Sequence, residues 1–438
     1  MVILIKVLQF IVCLSMLVLI HEFGHFIAAR IFRIRVEKFY IFFNPWFSLF
    51  KFRRGDTEYG IGWLPLGGYV KIAGMIDESM DTEQMKQPVQ PWEFRAKPAW
   101  QRLIVMVAGV FMNVVLAIVI YSGVLYTWGH TYYANEDMIH GYAFNQAAHS
   151  LGFEDGDRIV SIDGRAPQTV NEIMQSLLIT DSDREVVVER NGRQLQLTLP
   201  MQRLIEIREA EEYKDFYVEF VPYVVDNVET ESAAEAGLQP GDRITAVNGT
   251  PTPHMLAGLE ILSHARNTSA EVEVVRNGID TLLLDVPVSG KGQMGIKVAV
   301  IPPRRIEYSL WESIPAGWHM AGDKIADYWR QLKMIVNPKT KLAKEVGGFI
   351  AIGNIFPGEW NWQSFWLLTA FISIMLAVMN LLPIPGLDGG HALFTLWEII
   401  TRRKPSDKFL EIMQYIGLVL ILLLVIYANG NDIFKLFK

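Results

Sequence analysis

The sequence predicts a polytopic α-helical membrane protein with four transmembrane helices, two tandem extracytoplasmic α+β domains and a membrane-associated β-hairpin. Three observations lead to this fold class. Hydrophobic residues make up 51% of the 438 residues, and the mean hydropathy of +0.21 is high for a chain of this length. The apolar residues concentrate in four runs, and the longest polar segment between them contains an internal repeat.

An α-helix needs about 20 apolar residues to cross ~30 Å of hydrocarbon. The middle two runs meet this length, the last is near its lower limit, and the first meets it only if the helix continues to about Ile31. A cleaved signal peptide is the alternative for the first run, but only Lys6 precedes it and no small-residue cleavage site follows. We predict spans within 1–34, 98–128, 361–390 and, after a cytoplasmic turn, 391–438.

The charge distribution indicates how the chain is oriented. Lys and Arg concentrate in loops 30–102 and 401–408, so the positive-inside rule predicts that both loops are cytoplasmic and that 129–360 lies outside. The net charge of −7 gives no reason to expect nucleic-acid binding. Since Cys13 is the only cysteine, an intrachain disulfide is excluded.

Segment 35–97 contains a stretch rich in glycine and aromatic residues, Thr57–Met75, in which apolar residues alternate loosely. This pattern predicts short strands or a β-hairpin. The apolar content favours a hairpin that dips into the membrane, where irregular backbone is tolerated only if it lines a cavity or is buried in protein. An ordinary cytoplasmic hairpin is the alternative.

The external segment contains a repeat. Gly156–Ile159 (GDRI) recurs as Gly241–Ile244, and Asp-Gly or Asn-Gly follows each copy at the same offset, which suits a tight turn. The stretch Ala236–Gly249 resembles the core of bacterial PDZ domains, and Leu151–Gly164 is a looser match. The resemblance implies peptide or C-terminus ligands bound as an added strand, and a spacer without a ligand is the alternative. The two PDZ-like domains are expected at 129–205 and 206–303.

Segment 304–360 contains one further helix. Apolar residues recur every three or four positions from Leu310 to Ile335, which predicts an amphipathic helix. Trp311 and Trp318 favour a position at the membrane surface. Packing against the second PDZ-like domain is the alternative.

The first span contains the sequence HEFGH at 21–25. Histidines four residues apart share one helix face, so both can coordinate one Zn²⁺. Glu22 lies beside them and can act as the base that takes a proton from the attacking water. Ionisable residues are costly in hydrocarbon and usually functional. A hydrolytic zinc site needs a third protein ligand, and Asp388 at the end of the third span is better placed than His391.

Several motifs together resemble the bacterial site-2 protease family of intramembrane zinc metalloproteases, in its RseP-like branch with two PDZ modules. They are HEFGH, PLGGYVKIAGM at 65–75, Asn113 in an apolar second span, the PDZ-like insert and NLLPIPGLDGGH at 380–391. The resemblance implies Zn²⁺ held by His21, His25 and Asp388, with Glu22 as the catalytic base. It further implies a bacterial inner membrane location with the active site near the cytoplasmic side.

The resemblance also implies how the substrate is held. Asn380 would contact the substrate backbone or stabilise the oxyanion, Pro383 and Pro385 would lie against the substrate, and the hairpin near residues 60–75 would accept it as an added strand. The last set of contacts includes Gly67, Gly68 and Tyr69. Expected partners are single-span membrane proteins, such as anti-sigma factors already trimmed by an upstream site-1 protease, or signal-peptide remnants. The rival functions are a peptide-binding membrane scaffold and a metal transporter.

Overall fold

The computed structural model describes residues 1–75 and 87–436 and divides into two units, Met1–His130 with Glu307–Lys438, and Thr131–Ile306. The helices are α1 (Val2–Ile31), α2 (Ala99–Trp128), α3 (Gln146–His149), α4 (Val170–Leu178), α5 (Met201–Glu209), α6 (Glu231–Glu235), α7 (Met255–His264), α8 (Leu310–Val336), α9 (Phe349–Ile355), α10 (Trp362–Leu381), α11 (Asp388–Thr401) and α12 (Asp407–Leu436). The strands are β1 (Val36–Arg54), β2 (Thr57–Ile72), β3 (His130–Tyr132), β4 (Tyr142–Phe144), β5 (Arg158–Ile162), β6 (Arg184–Arg190), β7 (Arg193–Leu199), β8 (Tyr217–Glu219), β9 (Val225–Val228), β10 (Arg243–Val247), β11 (Thr250–Pro251), β12 (Ser269–Arg276), β13 (Asp280–Pro287), β14 (Ile296–Val298) and β15 (Arg304–Ile306).

Within the part of the chain that the structure describes, four helices of the first unit are long and apolar enough to cross a membrane, which matches the number of predicted spans. They are α1, α2, α10 and α12. The first span runs through HEFGH without interruption, so both histidines and Glu22 lie within α1. With 20 residues, α10 is about 30 Å long, just enough to cross the hydrocarbon.

The third span ends earlier than the sequence indicated. We expected it to run to residue 390 and to end with Asp388, but α10 stops at Leu381, where Pro383 and Pro385 follow. Proline lacks an N–H and disfavours helical backbone in the residue before it. The chain therefore crosses a short loop, and Asp388 becomes the first residue of a separate helix, α11.

The hairpin is larger than predicted. Thr57–Met75 does not form a hairpin by itself, because 57–72 is the second strand of a pair whose first strand is β1. Both strands fold back on themselves, so that residues 38–41 pair with 68–71 on one side and with 58–61 on the other, while 50–54 pair with 57–61. Among the described residues, 68–71 therefore form an edge of the sheet.

The buried face of the predicted amphipathic helix packs on other helices of the first unit. The helix itself is confirmed as α8, and its inner face packs on α2 and α10, where Ala321 is buried. Gly317 lies against Ser122 of α2, close enough that a Cβ would meet the Ser122 Oγ at 2.3 Å. Trp311 and Trp318, which suggested a position at the membrane surface, are exposed.

The second unit contains two modules with matching architecture. A sheet β5-β6-β7 in the first corresponds to β10-β12-β13 in the second, and the pair β4-β8 corresponds to β9-β14. The aspartate of the GDRI repeat makes the same contact in both modules. Asp157 pairs with Arg190 and Asp242 pairs with Arg276, and both carboxylates are fully buried. The first core includes Ile207 and Phe216, so this module extends beyond the expected boundary at 205. The last strand of this module, β8, lies outside the sequence repeat, and the sequence did not predict it.

The Asp242 carboxyl makes folding of the second module dependent on pH. Burial alone would raise its pKa, but hydrogen bonds from Arg276 and from the Gln239 N–H outweigh burial and lower the pKa. Ionisation therefore favours the folded state. This contribution is complete at neutral pH and disappears as the pH falls through the lowered pKa.

We expect Asp242→Asn to destabilise the second module by about 3 kcal/mol at neutral pH, because it leaves Arg276 without its buried partner. The difference from the unsubstituted chain should shrink in strong acid. Hydrogen exchange of β10 and β12 in the full-length chain measures it. Asp226→Asn, which removes the exposed pair with Lys297, is the matched control and should change protection by less than about 1 kcal/mol. Equal effects of the two variants would contradict the assignment.

Candidate metal centre

Three potential metal ligands converge where the C-terminal part of α1 meets the first residue of α11. The His21 Nε2 lies 3.1 Å from the Asp388 Oδ2, the His25 Nε2 lies 3.2 Å from the same oxygen, and the two Nε2 atoms are 3.2 Å apart. Among the described residues, this is the one group of three or more His, Cys, Asp or Glu arranged to hold a metal ion. The geometry brings together the three ligands predicted from the sequence.

The triangle fits zinc. Ligand atoms about 2.0–2.1 Å from a tetrahedral Zn²⁺ lie roughly 3.3 Å from one another, close to the three distances observed. The Asp388 Oδ2 is buried and accepts no hydrogen bond, so a cation is the partner it lacks. The His25 Nδ1 lies 2.8 Å from the Val105 carbonyl oxygen. A proton on Nδ1 donated to that carbonyl leaves the Nε2 lone pair facing the triangle.

Glycines shape the loop that delivers Asp388. A Cβ on Gly389 would lie 2.3 Å from the Leu382 carbonyl oxygen, and one on Gly390 would lie 2.4 Å from the Ile384 oxygen. The first turn of α11 therefore folds directly against the end of α10. Near the C-terminal end of α11, the Arg102 guanidinium on α2 donates a hydrogen bond of 2.5 Å to the Glu398 carboxylate.

The second span contributes a stripe of residues of which the sequence analysis named only Asn113, as a motif residue without a role in the site. Val105, Gly109 and Asn113 are four residues apart and share one face of α2, which meets the histidine face of α1. A Cβ on Gly109 would lie 2.4 Å from the His25 Nε2 and 2.7 Å from the His21 Cε1. The Asn113 amide nitrogen lies 3.4 Å from the His21 Nδ1. A glycine four residues before an asparagine in an apolar helix was the only signal in the sequence.

We expect Gly109→Ala to reduce zinc binding at least tenfold, because the added methyl group occupies the space of both imidazoles and moves their Nε2 atoms. Metal analysis of the purified protein across a zinc-buffer series measures the change. Gly123→Ala is the matched control, since a Cβ there meets nothing within 4 Å. Equal zinc affinity of the two variants would contradict this role for Gly109.

A cavity of about 580 Å³ opens beside the triangle. Glu22 lines it, as do Tyr69 and Asn380, two of the expected substrate contacts. The Asn380 amide nitrogen is 3.4 Å from the His21 Nε2. The remaining expected contacts are not among the cavity's lining residues. These are Gly67 and Gly68 on β2 and Pro383 and Pro385 in the loop before α11.

A sequence model of peptidase family M50 matches residues 9–424. The chain belongs to peptidase family M50. A candidate zinc metalloprotease of Xylella fastidiosa is 30% identical over 449 residues, which cover 97% of each chain. A regulator of sigma E protease from Haemophilus influenzae is 29% identical over 460 residues and 98% of each chain. A candidate zinc metalloprotease of Treponema pallidum is 29% identical over 465 residues, which cover 99% of this chain and 100% of the relative.

Membership in M50 decides the class of enzyme. The chain is a membrane-embedded zinc metallopeptidase of the site-2 protease type, as the motifs suggested. Its cofactor is zinc. The matches extend over nearly the whole length of chain and relatives, so they include all four apolar helices and the segment with the two modules.

Proposed function

We propose that this protease hydrolyses peptide bonds within the transmembrane segments of single-span membrane proteins. The observation that carries the proposal is the position of the ligand triangle. His21, His25 and Glu22 lie within a 30-residue helix that is apolar enough to span a membrane, and they face a cavity large enough for several residues of an extended chain.

In this proposal His21, His25 and Asp388 hold the zinc. Bound zinc supplies Lewis acidity, which acidifies water and polarises a carbonyl group. Glu22 accepts the proton of the attacking water and passes it to the leaving amine. Asn380, whose amide lies beside His21, donates to the substrate carbonyl or to the oxyanion that develops from it.

The sheet edge at residues 68–71, which lies in the cavity wall, supports a way of holding the substrate. A transmembrane helix has its peptide groups locked in hydrogen bonds, so the segment to be cut must unwind. In this proposal the unwound segment adds as a strand beside residues 68–71, next to Tyr69 and Lys71 in the cavity wall. Exposed aromatic residues such as Trp46 and Phe47 suit contact of the same sheet with lipid.

The charge asymmetry supports an orientation in a bacterial inner membrane with the metal centre near the cytoplasmic side. The proposed substrates are anti-sigma factors trimmed by an upstream site-1 protease, or signal-peptide remnants. Quantitative proteomics of membranes from cells carrying Glu22→Gln tests this. Single-span proteins, already shortened on the outer side, should accumulate relative to cells with the unsubstituted enzyme. Accumulation of multi-span or soluble proteins alone would overturn the substrate assignment.

The two PDZ-like modules are proposed to bind peptides or C-termini and to act as a size gate that refuses substrates with bulky outer domains. Deletion of 129–303 tests the gate with a pair of substrates, one trimmed and one full-length. Loss of the preference for the trimmed form is expected. Unchanged selectivity would contradict the gate without affecting the proposed chemistry.

A further inference from the structure

The fourth span carries a buried glutamine that the proposed chemistry does not use. Gln414 on α12 has only 5% of its surface exposed, whereas its neighbours Tyr415 and Ile416 are about half exposed, at 50% and 51%. Polar side chains inside membrane spans are costly and usually have a function. Gln414 therefore differs from the lipid-facing residues around it.

The Gln414 side chain lines the same cavity as Glu22 and Asn380. No hydrogen bond between described residues involves its carboxamide, and neither amide atom is both fully enclosed and unpartnered. The amide is therefore accessible from the cavity and uncommitted. It offers one donor group and one acceptor to whatever enters.

A glycine fixes the position of this glutamine. Gly417, three residues further along, shares the helix face of Gln414. Its backbone touches the loop before Asp388 so closely that a Cβ would lie 1.6 Å from the Pro385 carbonyl oxygen. The fourth span is thereby held against the loop that delivers a metal ligand, with Gln414 directed to the cavity.

We infer that Gln414 is a substrate-positioning residue that hydrogen-bonds the main chain of the unwound substrate segment. This inference rests on the proposed function. An unwound segment inside the membrane exposes peptide groups that need partners, since unsatisfied ones are costly in an apolar medium. One edge of the segment is served by residues 68–71, and a side-chain amide can serve a peptide group that points away from that edge.

The first test measures peptide binding without cleavage. In the Glu22→Gln background, a fluorescent peptide of about 30 residues with one apolar span is titrated into nanodiscs. We expect Gln414→Leu, or the shape-preserving Gln414→Met, to weaken Kd roughly threefold to tenfold. Gln9→Leu is the matched control, because Gln9 is a buried glutamine of the first span outside the cavity wall, bonded to the Pro357 carbonyl. It should leave Kd unchanged.

The second test separates a main-chain hydrogen bond from a structural role. A set of peptides, each with one backbone amide replaced by an ester near the cleavage position, is bound to the Glu22→Gln protein with and without the added Gln414→Leu substitution. One ester should weaken binding when Gln414 is present and have no further effect once the glutamine has been replaced. This coupling is specific to a direct contact. Equal ester effects in both proteins overturn the inference.

The outcomes distinguish the inference from the function on which it rests. Unchanged Kd for Gln414→Leu and Gln414→Met, with cleavage by the unsubstituted enzyme intact, counts against Gln414 alone. Peptide binding that depends on Gln414, without cleavage by the unsubstituted enzyme, counts against the proposed proteolysis alone.

Discussion

Glu22→Gln should lower kcat by roughly a thousandfold while the protein keeps its zinc, because the amide is nearly isosteric with the carboxylate but does not accept the proton of the attacking water. The variant leaves His21, His25 and Asp388 in place, so the metal site is intact. Single-turnover cleavage of a single-span substrate and metal analysis of the same preparation measure the two quantities separately.

The matched control for this variant is Glu260→Gln, an exposed glutamate on α7 in the second unit. It should retain full activity and full zinc content. Full activity of Glu22→Gln would refute the assigned role of the base. Loss of zinc from Glu22→Gln would instead show that the residue acts through the metal site.

Asp388→Asn should weaken zinc binding by more than about 100-fold. The substitution keeps the size of the side chain but removes the negative charge and the carboxylate oxygen that both histidine Nε2 atoms face. In other metal sites, substitution of a residue that only contacts a ligand already lowers metal affinity or activity about 10- to 100-fold. Zinc affinity, measured by competition with a chelator, reports the effect. Proteolysis should fall in parallel and recover in part at high zinc concentration.

His391→Asn is the control that uses the alternative third ligand. His391 also lines the cavity, one turn along α11, and the sequence alone offered it as a candidate. The His391→Asn variant should keep its zinc. Retained zinc in Asp388→Asn together with lost zinc in His391→Asn would reverse the assignment of the third ligand.

Local sequence signals predicted the parts of this site that lie within one helix. HEFGH has helical spacing, so the sequence predicted that His21, Glu22 and His25 lie on one helix, and all three lie on α1. The prolines after Leu381 indicated a break, but the sequence did not show that Asp388 begins a new helix, whose Gly389 lies against the Leu382 carbonyl.

The parts that depend on distant residues were beyond the sequence. Gly109 matters only because α2 lies against the histidines, and a single sequence does not show which helix faces which. The four-part arrangement of the sheet needs residues 38–41 to pair twice, with segments about 20 and 30 positions away. The packing partners of α8 were beyond the sequence for the same reason, since its amphipathic pattern shows that one face is buried but not which helices cover it.

The packing explains why the centre is assembled from several elements. The histidines come from α1 and the carboxylate comes from α11. Gly109 of α2 leaves space for the two imidazoles, and Val105 and Asn113 of the same helix are their hydrogen-bond partners. The ion pair Arg102–Glu398 ties α2 to α11, with both side chains largely buried. A site held by contacts between separate helices has precise geometry only when all of them are folded together.

We propose that this zinc centre cleaves its substrates inside a membrane span. Mass spectrometry of the products formed when the purified, zinc-loaded enzyme meets a purified single-span substrate in nanodiscs tests this most directly. The account predicts a cut within the apolar span, absent with Glu22→Gln and with chelator. A cut confined to residues outside the span, or an intramembrane cut that persists with Glu22→Gln, would contradict it.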